Sequence, residues 1–165
     1  MDKEIERKFL IPGREFDGSP FAENLAGFPS IMITQVYLSE SPCTRIRLIS
    51  KDSPVLYDRS ARLTVKGPGL ISRTEIECEI PFQKAKKIVE EGLYNHLISK
   101  IRYQVGHWEV DQFLGKHDGF WMAEIELKSE DERFEKPDWL GREVSNDPRY
   151  TNLALARDGV PKEKR

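Results

Sequence analysis

The strongest constraint on this chain is a two-residue spacing of like charges that recurs in segment after segment. Glu4 and Glu6, Arg45 and Arg47, Lys100 and Arg102, Glu109 and Asp111, and Glu124 and Glu126 are each two apart. Thr64 and Lys66 share the spacing, and Arg73, Glu75, Glu77 and Glu79 extend it over four positions. Successive side chains of a β-strand point to opposite faces, so each set occupies one face of a strand. In the opening MDKEIERKFLIP, Glu4, Glu6 and Lys8 take one face while Ile5 and Phe9 take the other. Like charges at adjacent same-face positions repel unless opposite charge sits between them. A fold that gathers these faces must therefore supply counter-ions.

The rest of the chain is punctuated as strands joined by short turns. Pro12-Gly13 is a turn signal, and Ser19-Pro20 caps a short helix through Leu25. Further strands are predicted at 31–38, 44–49, 63–66, 73–80, 97–105, 107–113 and 120–128, with 58–61 readable as strand or loop. Gly67-Pro68-Gly69 suits a hairpin loop, Gly106 the next connection, and Gly115 to Gly119 the one after. Pro81 opens the clearest helix, predicted over 81–94, in which Ala85, Ile88, Val89 and Leu93 form one apolar face. The acidic stretch 129–138 reads as a loop anchored by Trp139-Leu140, and 142–144 as a short final strand. Asp147-Pro148 caps a last helix over 149–157, and the final residues, about 160–165, read as a disordered tail.

At 165 residues the chain suits a single domain, 1–165, with a real core. A net charge of −2 argues against a bulk nucleic-acid binder. Charged residues reach 33%, enough to place charges on more than an outer skin. The early charges Asp2, Lys3 and Glu4 argue against a signal peptide, and no apolar run approaches the ~20 residues of a membrane span. Cys43 and Cys78 lack metal-ligand spacing and read as reduced thiols of a cytoplasmic protein. His96, His107 and His117 show no ligating pattern and are assigned to surface or strand-end positions.

Strands of this number and spacing predict one antiparallel sheet, and eight can close into a barrel that holds side chains or one small ligand. The usual barrel is apolar inside and charged outside. The helix at 81–94 and the weaker ones near 20–25 and 148–157 need an apolar sheet surface to cover. If they cover the outside of the barrel, the charged face lines the lumen. Burying so many charges is costly unless they are paired or bind ions, so a charged lumen predicts a charged ligand.

The opening EIERKFLI resembles the Glu-x-Glu-x-Lys signature of the CYTH, or triphosphate tunnel metalloenzyme, superfamily. The resemblance runs through Gln35 with Tyr37-Leu38, Arg45-x-Arg47, LTVKG at 63–67, Arg73-x-Glu75-x-Glu77 and Lys100-x-Arg102. It continues with WEVDQF at 108–113, AEIEL at 123–127, Gly141 to Val144, Tyr150-x-Asn152 and Leu155-Ala156. The length is similar to the short bacterial forms. The resemblance implies an α+β fold, an eight-stranded antiparallel tunnel with flanking helices and a short C-terminal plug helix. It implies a small-molecule triphosphate substrate bound with Mg²⁺ or Mn²⁺, and no nucleic-acid or membrane partner. The oligomeric state, monomer or homodimer, stays open.

Carried onto this sequence, the resemblance gives Lys8, Arg45, Arg47, Lys66, Arg73, Lys100 and Arg102 as the phosphate cradle. Arginines there can make bidentate contacts to phosphate oxygens. Glu4, Glu6, Glu124 and Glu126 are the metal candidates, because hard cations prefer carboxylate and water oxygens. Glu4, Glu6, Glu75 and Glu77 are the candidates for catalysis, the last two for a second metal or for orienting the attacking water. Glu79, Glu109 and Asp111 read as partners behind the site, Arg7 as structural, and Arg149, Arg157 and Lys162 as alternatives for a basic residue on the plug. The implied reaction is in-line attack of water on a terminal phosphoryl group, one metal neutralising charge and a second positioning the water. Inorganic tripolyphosphate is the leading substrate. Adenylate cyclisation, thiamine triphosphate hydrolysis (with Trp108 or Trp121 against the organic rings) and non-catalytic polyphosphate binding are the alternatives.

Overall fold

Every period-two segment becomes a strand. The computed structural model describes residues 3–12, 25–51 and 58–162. The strands are β1 (Lys3–Ile11), β2 (Ser30–Glu40), β3 (Cys43–Lys51), β4 (Arg59–Lys66), β5 (Ser72–Ile80), β6 (His96–Val105), β7 (Trp108–Phe113) and β8 (Trp121–Glu126). They close a barrel in the order β1-β5-β4-β3-β2-β6-β7-β8, with every pairing antiparallel. The hairpin between β4 and β5 requires its glycine. Gly69 has φ +127°, and a Cβ there would lie 2.3 Å from the Ser72 carbonyl oxygen.

The apolar faces point outward and are covered from outside. Helix α1 (Phe82–Glu90) lays Ala85, Phe82, Ile88 and Val89 over Val36, Ile46 and Ala61. Around the barrel, Ile5, Phe9, Val110, Ala123 and Ile125 pack under Phe134, Trp139 and Leu140 of the long acidic segment. With both coats outside, the charged faces turn into the lumen. One end of that lumen is apolar and closed. There Tyr37, Ile98, Phe113 and Met122 meet Val144, Tyr150, Leu155 and Ala156 from the C-terminal segment.

Helix α2 (Asn152–Asp158) forms this plug and is pinned at both ends. Thr151 caps it, its hydroxyl accepting from the Ala154 amide at 3.1 Å. At the other end Lys116 donates to the Ala156 carbonyl at 2.6 Å, and His117 Nε2 lies 2.6 Å from the Leu155 carbonyl. His117 is therefore a buried clasp and not a surface or strand-end residue. His117→Ala is expected to cost about 2 kcal/mol, through the lost hydrogen bond and a small cavity. A thermal denaturation scan should show a Tm several degrees below wild type.

One open reading is resolved and three others need correction. Residues 59–61 are strand, the start of β4. Helix α1 stops at Glu90, because Gly92 takes φ +66° and turns the chain toward β6; Leu93 is left exposed, off the apolar face assigned to it. The last helix is broken in two. Pro148–Tyr150 is a 3-10 turn capped by Asp147, and α2 restarts after Thr151 so that Tyr150 can enter the apolar floor. The strand expected at 142–144 is reduced to a bridge between Phe9 and Glu143, flanked by backbone bonds to Leu10 and Lys8. The helix expected over 20–25 lies outside the described residues except for Leu25, which opens a 3-10 turn, Leu25–Gly27. The Pro12-Gly13 turn and residues 163–165 also fall outside them, in part or whole. Among the described residues no helix is long and apolar enough to cross a membrane. Cys43 and Cys78 are both free.

Candidate functional site

The lumen holds a cavity of about 410 Å³ lined almost wholly by charge. Lys3, Glu4 and Glu6 come from β1, Arg45 and Arg47 from β3, Lys66 from β4, Glu75 and Glu77 from β5. Arg102 comes from β6, Glu109 from β7, Glu124 and Glu126 from β8, and Asn152 from α2. Strand alternation brings them together: every second residue faces inward, and closure lets the inward rows converge.

Most of these charges are already matched. Glu4 accepts from Lys66 Nζ at 2.7 Å and Arg73 Nε at 3.1 Å. Burial works against its charge, but Lys66 and then Arg73 outweigh that and hold its pKa down to about 2. Lys66 also pairs with Glu75 at 2.8 Å. Burial and the neighbouring Glu4 push the Glu75 carboxyl up. Glu6 pairs with Lys8 at 2.9 Å and with Arg73 at 3.5 Å. Arg102 grips Asp111 through two bonds of 2.7 and 2.8 Å and reaches Glu124 at 2.9 Å. Burial opposes the Glu124 charge, yet Lys8 and Arg102 keep its carboxyl well below the usual range. Glu77 is held by Arg62 and the Thr64 hydroxyl at 2.7 and 2.9 Å.

Two groups stand outside this matching. Arg45 and Arg47 make no ion pair among the described residues, and the Nε of each is buried without a hydrogen-bond partner. Burial, then the Arg45 and Arg102 charges, lowers the Arg47 pKa to about 10. Burial and Arg45 likewise lower that of Lys66. This wall thus carries two positive charges with no carboxylate in ion-pair contact, Glu77 acting on Arg47 only from a distance. In strand order β3 lies diametrically across from β8. There Glu126 faces Glu6 in register, Glu109 faces Glu124, and Glu126 has no ion pair among the described residues. Like charges directly opposite destabilise a sheet unless something bridges them.

The donor set fits a hard divalent cation. The cavity lining carries seven carboxylates against five cations. The charges just behind it, Lys8, Arg73, Lys100 and Asp111, bring the formal count level. A polyanion entering a lumen with no net positive charge must bring cations with it. Among the described residues no three carboxylate, histidine or cysteine side chains form a preformed metal cage. Mg²⁺ needs none, since it keeps several waters and uses one or two carboxylates plus substrate phosphates.

Of the residues expected from sequence, the structure brings Glu4, Glu6, Glu75, Glu77, Glu124, Glu126, Arg45, Arg47, Lys66 and Arg102 to the cavity. Lys8, Arg73 and Lys100 stop short of it, spent on carboxylates in the wall. Lys100 is fully buried against Asp111 at 2.6 Å and Asn152 at 3.1 Å, and burial, then Arg102, lowers its pKa to about 8. Glu109, expected behind the site, lines it. Glu79 lies at the exposed rim, 4.0 Å from Arg62. Arg7 pairs outside the lumen with Glu143, a structural role as expected. None of Arg149, Arg157 or Lys162 lines the cavity; Arg157 pairs outside it with Glu40 and Asp158. Trp108 and Trp121 do not line it either, and Trp108 is enclosed by Phe9, Phe134 and Trp139. Lys3 and Asn152 had no assigned role; the only sequence signal for Asn152 was its place in Tyr150-x-Asn152.

A model of the CYTH domain matches residues 2–153. An inorganic triphosphatase of Acetivibrio thermocellus is 37% identical over 163 residues, covering 96% of this chain and 96% of its own. An inorganic triphosphatase of Nitrosomonas europaea is 32% identical over 165 residues, covering 93% of this chain and 96% of its own. The crystal structure of the inorganic triphosphatase NE1496 superposes with a TM-score of 0.59 at 27% identity, over 94% of this chain and 95% of that one. With its closed barrel, inward charge and full-length match, this chain belongs to the CYTH domain family.

Proposed function

We propose that this protein is a metal-dependent inorganic triphosphatase that hydrolyses tripolyphosphate to pyrophosphate and phosphate. The observation that carries this reading is the pair Arg45, buried, and Arg47, half-buried, each with a buried Nε and no carboxylate partner among the described residues, in a lumen that pairs most of its other charges. The names of the relatives agree with it. Arg45, Arg47, Lys66 and Arg102 would hold the phosphate chain. Lys8, Arg73 and Lys100 would act from behind, keeping Glu4, Glu6, Glu124 and Asp111 charged and in place. Glu4, Glu6, Glu124 and Glu126 would hold Mg²⁺ or Mn²⁺, which when bound neutralises phosphate charge and eases deprotonation of water. Glu75 and Glu77 would orient the water. Its oxygen forms a bond to the terminal phosphorus as the bridging P–O bond breaks and pyrophosphate leaves.

An inorganic substrate is favoured because, among the described residues, the lining offers charged side chains and one amide, and no aromatic surface for a base. A cytoplasmic setting, consistent with two free thiols, belongs to the same proposal. The test is a substrate panel of tripolyphosphate, ATP and thiamine triphosphate with Mg²⁺ or Mn²⁺. Orthophosphate released from tripolyphosphate far faster than from the others, and abolished by EDTA, is the expected result. Cyclic AMP from ATP, preferred thiamine triphosphate cleavage, or binding without turnover would each replace this reading with another.

A further inference from the structure

The plug helix was expected to bring a basic residue to the closed end of the lumen, yet the side chain it brings is an amide. Asn152 lines the cavity although only 9% of its surface is exposed. Its Oδ1 accepts from Lys100 Nζ at 3.1 Å. An ammonium only donates, so this contact fixes which end of the amide faces Lys100. The Nδ2 end, a two-proton donor with no partner among the described residues, is left for the lumen. Lys100 is itself anchored by Asp111, which also holds Arg102. The amide is thus oriented by a chain of buried polar contacts that no packing requirement explains.

We propose that Asn152 is a substrate-contacting residue, its Nδ2–H group donating to a phosphate oxygen at the closed end of the tunnel, and that Lys100 is the positioning residue that aims it. This rests on the triphosphatase reading. It gives a role to a lysine that does not reach the cavity and accounts for a tunnel end with no basic plug residue among the described residues. A neutral donor also suits the place. A further cation there would repel Lys100 and Arg102, whereas an amide adds a hydrogen bond without adding charge.

Asn152→Ala and Asn152→Asp separate this from a merely structural role. Both are compared with wild type for KM, kcat and Tm, using tripolyphosphate with Mg²⁺, and for the rise in Tm that the same ligand produces. Asparagine to aspartate keeps the acceptor for Lys100 and nearly the same shape, but turns the donor into a negative charge. The expected result is a KM raised about tenfold or more by Asn152→Ala. Asn152→Asp should raise it further at near wild-type Tm, with the ligand-induced rise in Tm reduced in the same order. If Asn152→Asp keeps the wild-type KM, or if both variants lose Tm while KM stays unchanged, Asn152 only pins the helix and the proposal falls. A wild-type protein that neither hydrolyses tripolyphosphate nor is stabilised by it overturns the functional reading, and this one with it.

Discussion

Arg47→Met should lower kcat/KM for tripolyphosphate by about 100- to 1,000-fold while making the folded protein more stable. The two effects have one cause. Arg47 is a half-buried cation, its Nε shut off from water, next to Arg45 and Arg102 with no carboxylate in ion-pair contact among the described residues, and its pKa falls to about 10. A base whose folded pKa lies below its unfolded value opposes folding while it is charged. That cost is fully present below about pH 10 and fades as the pH rises toward the ordinary arginine value. At neutral pH it amounts to at most about 3 kcal/mol, less what solvent screens. Removing the charge relieves the cost and also removes two guanidinium donors for phosphate. Arg45→Met should behave alike in activity. Denaturant midpoints measured beside kinetics check both signs, and an Arg47→Met protein that is active, or clearly less stable, contradicts the assignment. The same relief should appear without mutation, as a rise in wild-type melting temperature when tripolyphosphate binds.

The second large effect distinguishes two carboxylates two residues apart on the same inward face of β8. Glu126→Gln should abolish most metal-dependent turnover, by about 100-fold or more, and leave Tm within a degree or two of wild type. Glu126 lines the cavity, faces Glu6 in register and has no ion pair among the described residues, so no structural contact is lost. Glu124→Gln should instead destabilise the fold by about 3–5 kcal/mol, since it leaves Arg102 and the buried Lys8 short of a counter-charge. Raising Mg²⁺ or Mn²⁺ should partly rescue Glu126→Gln and do nothing for the stability of Glu124→Gln. Equal stability losses in the two variants would show that Glu126 has a structural partner.

These contrasts mark where the sequence stops being informative. Its alternation tells which residues share a face, but not which of them reach open space. Lys8, Arg73 and Lys100 obey the same pattern as Arg45, Arg47 and Lys66. Three are taken up in the wall and three face the cavity. Lys66 and Glu4 are 62 positions apart, and Arg73 and Glu4 are 69 apart. Contacts at that separation are set by strand order and register. The break at Thr151 was equally hidden, because it follows from Tyr150 seeking the apolar floor. His117 looked like any strand-end histidine until α2 was placed above it.

What the sequence determined by itself was the strands and which side chains share a face of each. A period of two is a local property of the backbone, whereas the charged face turns inward only if the helices cover the outside, a condition the family resemblance supplied. What only the tertiary structure decided was the account of charge inside. Closure in the order β1-β5-β4-β3-β2-β6-β7-β8 matched most acids to bases and left Arg45 and Arg47 unmatched across from Glu126. Ion pairing acts over a few ångströms and is indifferent to distance along the chain, so no local pattern could have specified it.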